Sequence, residues 1–358
     1  MEQIMEIGKV IQAIKPVDQA LRPSAQHKID NKTKPLGALG KMEELAVQMS
    51  LIQKTLNPDI RRKVLLVFAG DHGITEEGVS AYPSEVTQQM VTNFLNGGAA
   101  INVLCRHHDI DIRIADMGVK ADFEDHLLLF QKKVRKGTRN FALEPAMTKT
   151  ELHDAVLNGM DVFFSESEKA KIDIIGLGEM GIGNTTSASA IISTVTGITP
   201  AQTTGRGTGV DDQGLQHKIN VIEKALKFHQ LDAKDGFEIL QKIGGFEIAG
   251  MVGAALAAAS TQTAIVLDGV ISTAAGLVAY LIEPAIGAYF ISGHKSFEVA
   301  HKAALDHMNL SPLMDFNMRL GEGTGAALAI EIVAAACRVM REMASFDEAG
   351  VSKKSDAL

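Results

Sequence analysis

The chain has 358 residues, of which 46% are hydrophobic and 22% charged, which suits one large globular domain or one domain with a small satellite. Its formal net charge of −8 argues against a general nucleic-acid binder, because neutralising phosphates requires an excess of lysine and arginine. Its two cysteines, Cys105 and Cys337, argue against a disulfide framework and a cysteine-based zinc site. We expect a cytoplasmic protein with reduced thiols and no signal peptide.

The predicted elements begin with residues 1–59, which show helical periodicity and no strand. Beyond them, short apolar runs rich in β-branched residues alternate with helical patterns. The apolar runs predict strands over 63–69, 110–116, 171–176, 263–268 and 287–292. The helical patterns cover 84–107, 149–169, 187–195, 211–228, 270–282, 297–308 and 323–343.

Strands that alternate with helices predict βαβ units and a mostly parallel sheet with both faces covered. We therefore expect an α/β fold, with a doubly wound, Rossmann-like nucleotide-binding core over 60–310. Residues 1–59 and 311–358 are expected to form a small, mainly helical domain. The uncharged stretch 248–267 is long enough to span a membrane, but its many small residues favour a buried helix followed by a buried strand.

Glycine and polar residues follow four of the predicted strands, at 70–73, 176–179, 268–269 and 292–294. The carboxyl ends of parallel strands meet at one edge of a sheet, and ligands of doubly wound folds bind there. We therefore expect the functional site to be built from these loops.

The segment 176–186, Gly-Leu-Gly-Glu-Met-Gly-Ile-Gly-Asn-Thr-Thr, joins a predicted strand to a predicted helix, where backbone amides can grip an anion. It fits the dinucleotide fingerprint, but no acid between Glu179 and Asp211 is available for the ribose. It also fits the P-loop spacing, but Asn184 stands where the phosphate-binding lysine belongs. We interpret it as a loop that grips one phosphate, with Glu179 repelling a polyphosphate and able to touch a ribose. A purely structural glycine turn is the alternative.

Two further glycine-rich segments carry candidate chemistry. Residues 204–209 offer a second nest of amides, and Lys218 in the next helix could share its phosphate; a flexible loop and a solvated lysine are the alternatives. Residues 319–325, Arg-Leu-Gly-Glu-Gly-Thr-Gly, place Glu322 between glycines, which would let a substrate approach a general base. An acid that only stabilises the helix dipole is the alternative.

Two turns are less specific. The Asp71-His72-Gly73 turn could be half of a metal site, but no second histidine motif stands at ligand spacing, so we expect a turn that shapes the pocket and no metal. Residues 79–84, with Tyr82 just ahead of a helix, suit a planar heterocycle. The alternative is a proline-stiffened loop with Ser84 as the helix N-cap.

Five motifs occur together: Asn-Lys-Thr-Lys-Pro-Leu-Gly at 31–37, Ala-Gly-Asp-His-Gly-Ile at 69–74, the 178–186 segment, Gly-Arg-Gly-Thr-Gly at 205–209 and the 319–325 segment. As a set, they resemble the nicotinate-nucleotide–dimethylbenzimidazole phosphoribosyltransferase family over residues 20–345. The resemblance implies transfer of the 5-phosphoribosyl group of nicotinate mononucleotide to 5,6-dimethylbenzimidazole, giving nicotinate and α-ribazole 5′-phosphate for cobalamin. It also implies a parallel-sheet core, a small helical domain from both chain ends, a homodimer, and neither metal nor organic cofactor. Nucleic acid and membrane are not implied as partners.

The resemblance assigns the catalytic base to Glu322. It places Glu179 and Lys218 near the ribose and phosphate, and Ser80, Tyr82 and Gln88 in the base-binding region. The other substrate-binding positions that it implies are Leu177, Gly178, Gly181, Gly183, Asn184, Thr185, Gly207, Gly209, Asp268, Ser292, Leu320 and Gly321.

The implied chemistry needs one base. The pyridinium nitrogen of the nucleotide leaves as neutral nicotinate nitrogen, whereas the attacking benzimidazole must lose its N–H proton. Attack opposite the leaving group inverts C1′, and Glu179 could steady the charge that develops on the ribose. Two other functions stay open: an NAD-type dehydrogenase that uses 176–181, and a mononucleotide-binding protein without catalysis.

Overall fold

The computed structural model describes residues 2–207 and 209–352, with side chains from Ile7 onward. The strands are β1 (Lys63–Gly70), β2 (Asp111–Gly118), β3 (Leu129–Gln131), β4 (Ile174–Met180), β5 (Ala264–Leu267) and β6 (Phe290–Ser292). The α-helices are α1 (Glu2–Ala13), α2 (Arg22–Asp30), α3 (Lys41–Ile52), α4 (Glu85–Leu95), α5 (Ala100–His108), α6 (Lys149–Ser167), α7 (Asn184–Thr196), α8 (Pro200–Thr203), α9 (Asp212–His229), α10 (Gly236–Ile243), α11 (Phe246–Ser260), α12 (Val270–Ile282), α13 (Val299–His307), α14 (Thr324–Glu342) and α15 (Phe346–Ala349).

The six strands form one sheet in the order β3-β2-β1-β4-β5-β6, and every pair of neighbours is parallel. The predicted α/β, doubly wound fold is therefore confirmed. The strand order reverses between β1 and β4, which is where ligands of this fold class bind. Phe68 pairs with Glu179 and Ala69 with Met180 at that point, so both strands deliver their last residues to one crevice.

The prediction for the first glycine-rich segment was wrong in one respect. Strand β4 continues through Gly176, Leu177, Gly178 and Glu179 to Met180, and helix α7 begins at Asn184 rather than at residue 187. The glycines stay in the strand because β1 pairs with β4 along its whole length and β5 with its first half. The loop between strand and helix is thus confined to residues 181–183.

Other differences have local causes. Strand β3 was missed because it has only three residues and pairs only with β2, at the edge of the sheet. The helix predicted over 84–107 is two helices, α4 and α5, separated by residues 96–99. Gly97 there has φ of 75°, a left-handed conformation that ends a helix.

Helices cover both faces of the sheet, as predicted. Helix α11 is buried from Phe246 to Ala259 and contacts β1, β2, β4 and β5, so the prediction of a buried helix followed by a strand over 248–267 is confirmed. Helix α6 packs on α11 at a crossing built on glycines: a Cβ at Gly253 would meet the Val156 carbonyl oxygen. No described helix is long and apolar enough to cross a membrane.

The two chain ends are helical and touch the core. Helix α3 packs on α14, α14 also lies against β1, β4 and β5, and α1 packs on α6 and α11. The division into a 60–310 core and a helical domain from 1–59 and 311–358 stays a prediction, and residues 353–358 of that domain lie outside the described part of the chain.

Candidate active site

A cavity of about 400 Å³ opens at the carboxyl edge of the sheet, beside the point where the strand order reverses. The loops after β4, β5 and β6 and the turn before α14 all reach it. Its walls are formed by Tyr82, Val86, Met90, Glu179, Met180, Gly181, Ile182, Asn184, Thr185, Gly207, Gly269, Val270, Ile271, His294, Ser296, Glu298, Arg319, Leu320, Gly321 and Glu322.

Glu322 sits in a strained turn at this cavity. Gly321, Glu322 and Gly323 have φ of 83°, 63° and 89°, a left-handed run in which only glycine is at ease. Such a conformation costs a non-glycine residue on the order of 1–3 kcal/mol and persists only where the surroundings enforce it. The flanking glycines limit this cost to Glu322 alone.

The surroundings that enforce the turn come from two strands. A Cβ at Gly178 would stand 2.5 Å from the Glu322 carbonyl oxygen, so glycine at that point of β4 lets the turn lie directly on the strand. Asp268, just after β5, accepts hydrogen bonds from the amides of Gly323 at 3.1 Å, Gly325 at 2.6 Å and Ala326 at 3.1 Å. This carboxylate therefore caps α14 and holds the turn that carries Glu322.

The Glu322 side chain is suited to accept a proton. Glu322 is 6% exposed, and its Oε2 atom is buried without a hydrogen-bond partner. Burial raises the pKa of the Glu322 carboxyl to about 7, a hydrogen bond from the Ile101 amide opposes the rise, and the charge of Asp268 adds to it. A carboxyl that titrates near neutral pH in a water-poor recess is what a general base requires.

A second acid lies nearby. Glu179, the penultimate residue of β4, accepts a hydrogen bond from the Asn184 side chain, and a Cβ at Gly321 would strike its Oε1. Burial raises the pKa of Glu179 to about 8; the Asn184 hydrogen bond opposes the rise, and the charges of Asp268, Glu247 and Glu322 reinforce it. Glu179 is therefore mostly protonated at neutral pH and can donate a hydrogen bond into the cavity.

Hydrogen-bond donors gather at the part of the cavity wall formed by Thr185 and Gly207. The Lys218 Nζ donates to the Thr185 Oγ1 at 2.7 Å, and a Cβ at Gly207 would stand 3.3 Å from that Nζ. Lys218 is 1% exposed, so the alternative of a solvated lysine was wrong. Burial lowers the pKa of Lys218 to about 8, and Glu298 opposes that shift. A buried amine, a hydroxyl and a loop amide close together are groups of the kind that bind a phosphate.

A buried pair supports the floor of the cavity. The His72 Nε2 lies 2.6 Å from the Glu247 Oε1, and neither side chain has any exposed surface. A Cβ at Gly181 would lie 3.4 Å from both side chains. The Asp71-His72-Gly73 turn thus supports the loop after β4, and no group of three or more potential ligands for a metal ion occurs within the described residues.

Comparison with known proteins identifies the family. The model of a phosphoribosyltransferase family matches residues 14–351 of the chain. The chain belongs to this phosphoribosyltransferase family.

Relatives agree with that assignment. The nicotinate-nucleotide–dimethylbenzimidazole phosphoribosyltransferase of Geobacter sulfurreducens is 48% identical over 347 residues, covering 97% of this chain and 98% of the relative. The protein of the same name from a Roseiflexus species (strain RS-1) is 48% identical over 348 residues, with the same coverage of each chain. A crystal structure of the Thermus thermophilus protein of that name superposes with a TM-score of 0.89 at 38% identity, covering 94% of this chain and 100% of that chain.

Membership in the family decides between the alternatives that the sequence left open. A phosphoribosyltransferase is an enzyme, and it is not a dehydrogenase. The fold supplies the physical reason: Gly176 and Gly178 lie inside β4, so the glycine loop that a dinucleotide fingerprint needs is not formed.

Nine of the residues predicted for the site of this phosphoribosyltransferase line the cavity. The predicted residues that line it are Tyr82, Glu179, Gly181, Asn184, Thr185, Gly207, Leu320, Gly321 and Glu322. Tyr82 and Leu320 are 52% and 57% exposed and form its rim. With Val86 and Met90 they give the cavity an apolar side, which suits a flat aromatic base.

Other predicted residues support the walls from behind. Gly178 and Asp268 hold the turn that carries Glu322. The Lys218 side chain reaches the cavity through its hydrogen bond to Thr185. Gly183 packs closely on Thr75, since a Cβ at Gly183 would stand 2.8 Å from the Thr75 methyl. Leu177 is fully buried between neighbouring strands.

The remaining predicted residues lie apart from the cavity walls. The Ser80 Oγ accepts the Tyr82 amide at 3.2 Å. Gln88 is exposed and borders a separate depression with Asp71 and Lys120. Gly209 is exposed, and its neighbour at position 208 lies outside the described residues. Ser292, 2% exposed, borders another pocket beside Gln48. Substrate contact by these residues stays a prediction.

Sequence reasoning missed three cavity residues on one loop: His294, Ser296 and Glu298. The polar end of the strand at 292–294 indicated that this loop would reach the site. Nothing in the local pattern indicated that Glu298 would turn toward residues 205–207. That contact depends on elements far apart in the chain.

Proposed function

We propose that this enzyme transfers the 5-phosphoribosyl group of nicotinate mononucleotide to 5,6-dimethylbenzimidazole, with inversion at C1′. The products are nicotinate and α-ribazole 5′-phosphate, an intermediate of cobalamin biosynthesis. The relatives described above are named for this activity, and the chain matches them over nearly their full length. The observation that carries the proposal is the buried Glu322 carboxyl, with its pKa near 7, in a cavity that Thr185 and Gly207 also line and behind whose wall Lys218 donates to Thr185.

The reaction uses the phosphate-binding residues and the residues beside the base for different tasks. The phosphate binds Lys218, Thr185 and the Gly207 amide, which fixes the position of the ribose relative to Glu322. The aromatic base lies on the apolar side formed by Tyr82 and Leu320. Holding the two reactants in line in this way can lower the barrier by about 7–11 kcal/mol.

The proton then follows a short path. One ring nitrogen of the base bonds to C1′ as the bond from C1′ to the nicotinate nitrogen breaks, and the other ring nitrogen loses its proton to the Glu322 carboxylate. The departing nitrogen keeps the bonding electrons and leaves neutral, so it needs no acid. Glu179, protonated at neutral pH, is assigned to hold the ribose as a hydrogen-bond donor rather than as a negative charge.

The test is a product assay. The purified protein is incubated with nicotinate mononucleotide and dimethylbenzimidazole, and the product is identified by its mass and by the α configuration of C1′. Tight binding of the nucleotide without release of nicotinate would contradict the proposal and leave a binding function.

We also propose that the protein acts as a homodimer in the cytoplasm. Large apolar side chains stay exposed at the rim of the cavity, Tyr82 and Leu320, and on chain segments that lead to it, Phe297 and Phe316, and a partner subunit would bury them. Cys105 and Cys337 are free and buried, as in proteins of a reducing compartment. Light scattering of the native protein measures its oligomeric state, and a monomeric mass at micromolar concentration would contradict the proposed homodimer.

A further inference from the structure

The Glu298 carboxylate lies inside the proposed phosphate site. Its Oε1 accepts the Gly207 amide at 3.1 Å. Its Oε2 packs so closely on residue 205 that a Cβ at Gly205 would collide with it. The φ of Gly205 is not positive, so the glycine is needed there for the close approach of Glu298 and not for an unusual backbone conformation.

Glu298 therefore uses the donors that a phosphate would use. The Gly207 amide is already its hydrogen-bond partner, and its charge acts on Lys218. The other cation of the loop, Arg206, is held by the Asp212 carboxylate and the Val210 carbonyl. A phosphate that binds Lys218 and Gly207 must consequently displace the Glu298 carboxylate, because two anions cannot share these donors without strong repulsion.

The fold offers the displaced carboxylate a second position. Glu298 is the N-cap residue of α13, yet its side chain makes no hydrogen bond to its own helix. The first-turn amides of a helix attract a carboxylate, so rotation of this side chain toward α13 would restore its hydrogen bonds.

The backbone beside Glu298 is anchored, so the side chain can move without it. The His301 Nδ1 accepts the Ser296 amide at 3.0 Å, and the His301 Nε2 lies 2.9 Å from the Thr273 Oγ1. Burial, reinforced by His294, lowers the pKa of His301 to about 3, so the ring is neutral and its Nε2 donates to Thr273. The Glu298 amide donates to the Ser296 Oγ at 3.3 Å.

We propose that Glu298 is a specificity-determining residue: its carboxylate competes with the substrate's phosphate for the Gly207 amide and Lys218, and phosphate binding turns it toward the N-terminus of α13. This inference rests on the proposed function only for the identity of the site's phosphate ligand. A doubly charged phosphate ester gains more from Lys218 than a carboxylate does, so it displaces Glu298. A singly charged anion or an unphosphorylated riboside does not.

The test is the binding of ribose 5-phosphate and inorganic phosphate to the full chain, measured by titration calorimetry. Glu298→Gln keeps an oxygen that can accept the Gly207 amide but removes the competing charge. We expect it to bind both phosphates about fivefold tighter or more, because a unit charge beside a dianion is lost. Glu298→Asp, whose carboxylate is withdrawn by one methylene, is expected to change affinity in the same direction by less.

Two controls locate the effect. Glu283→Gln alters another N-cap glutamate, which accepts the Ala285 amide outside the site, and it should leave phosphate affinity unchanged. Lys218→Met should weaken phosphate binding by about 10–100-fold in both the wild-type and Glu298→Gln backgrounds. In the transfer reaction, Glu298→Gln should lower the KM for the nucleotide and leave the KM for the base unchanged.

The outcomes separate this inference from the proposed function. Weaker or unchanged phosphate binding by Glu298→Gln would overturn it, since the carboxylate would then only hold the loop. Failure of the wild-type protein to bind phosphate would overturn it as well. Tighter phosphate binding by Glu298→Gln in a protein that forms no α-ribazole phosphate would support the inference while the proposed reaction fails.

Discussion

Replacing Glu322 by glutamine tests the proposed base most directly. Glutamine has almost the same size, and its oxygen can still accept the Ile101 amide, but it cannot take a proton from the attacking nitrogen. Because positioned general-base catalysis contributes about 10²–10⁴-fold, we expect kcat to fall by at least about 10²-fold. The KM for nicotinate mononucleotide should change little, since Lys218 and Thr185 are untouched.

The pH dependence supplies a second measure. The base acts only when it is ionised, and burial raises the pKa of Glu322 to about 7. The wild-type rate should therefore rise with pH up to about 7 and fall again above about 8, where Glu179 loses its proton and Lys218 its charge. The Glu322→Gln variant should lack this rise, and initial rates of nicotinate release between pH 5 and 9 would measure both profiles.

The same shift predicts a change in stability. The pKa of Glu322 rises from its ordinary value of 4.5 to about 7 on folding, so the folded state holds the proton more tightly than the unfolded state. The free energy of unfolding therefore falls as the pH rises from 4.5 to 7, by about 3 kcal/mol in all, at about 1.4 kcal/mol per pH unit. Glutamine does not ionise. We expect Glu322→Gln to unfold about 4 °C above the wild type at pH 8 and at the same temperature at pH 4.

A matched control is available on the same helix. Glu342 lies at the exposed end of α14, so Glu342→Gln should alter neither kcat nor the unfolding temperature appreciably. Near-normal turnover by Glu322→Gln would refute the role of base. A wild-type rate that does not change between pH 5 and 7, or a variant that is less stable at pH 8, would refute the electrostatic reasoning.

Three other substitutions probe the supporting structure. Lys218→Met should raise the KM for the nucleotide by about 10–100-fold at nearly unchanged kcat, because a buried charged hydrogen bond to phosphate is lost. Steady-state kinetics would measure this change. An unchanged KM would exclude the role of Lys218 in phosphate binding. Gly178→Ala places a methyl 2.5 Å from the Glu322 carbonyl oxygen and should cut kcat by about 10²-fold through misplacement of the base, while ribose 5-phosphate binding in a calorimeter stays intact. Gly253→Ala forces α11 away from the Val156 carbonyl of α6. It should lower the free energy of unfolding, measured in urea, by about 1–3 kcal/mol. Unchanged stability would mean that the two helices adjust without cost.

Much of the fold followed from local patterns. The β-branched runs that became β1, β2, β4 and β5 are buried strands of a parallel sheet, and such strands need apolar residues on both faces. The small residues of 248–260 lie in the buried helix α11, whose crossing with α6 leaves no room for a side chain at Gly253. The periodicity of apolar residues and the size of side chains can be read from neighbours in the chain, so the sequence was enough to predict these elements.

The extent of β4 could not be recognised in that way. Glycines at 176 and 178 indicate a turn when only the chain neighbours are considered. In the folded chain β1 supplies hydrogen bonds to this segment, and the missing side chain at Gly178 makes room for the Glu322 turn. A glycine needed for close approach cannot be told from a glycine needed for a turn until its spatial neighbour is known.

The amino-acid order was enough to indicate the doubly wound sheet, the edge at which a site would form, and Glu322 as an acid between two glycines. The folded arrangement alone decided how that acid behaves: Asp268, 54 positions earlier in the chain, holds its turn, and burial moves its pKa toward neutrality. It also decided that Glu298 faces Gly207, 91 positions away. The physical reason is that hydrogen bonding, charge and exclusion of water act over distances in space, whereas periodicity and turn preferences act between neighbours in the chain.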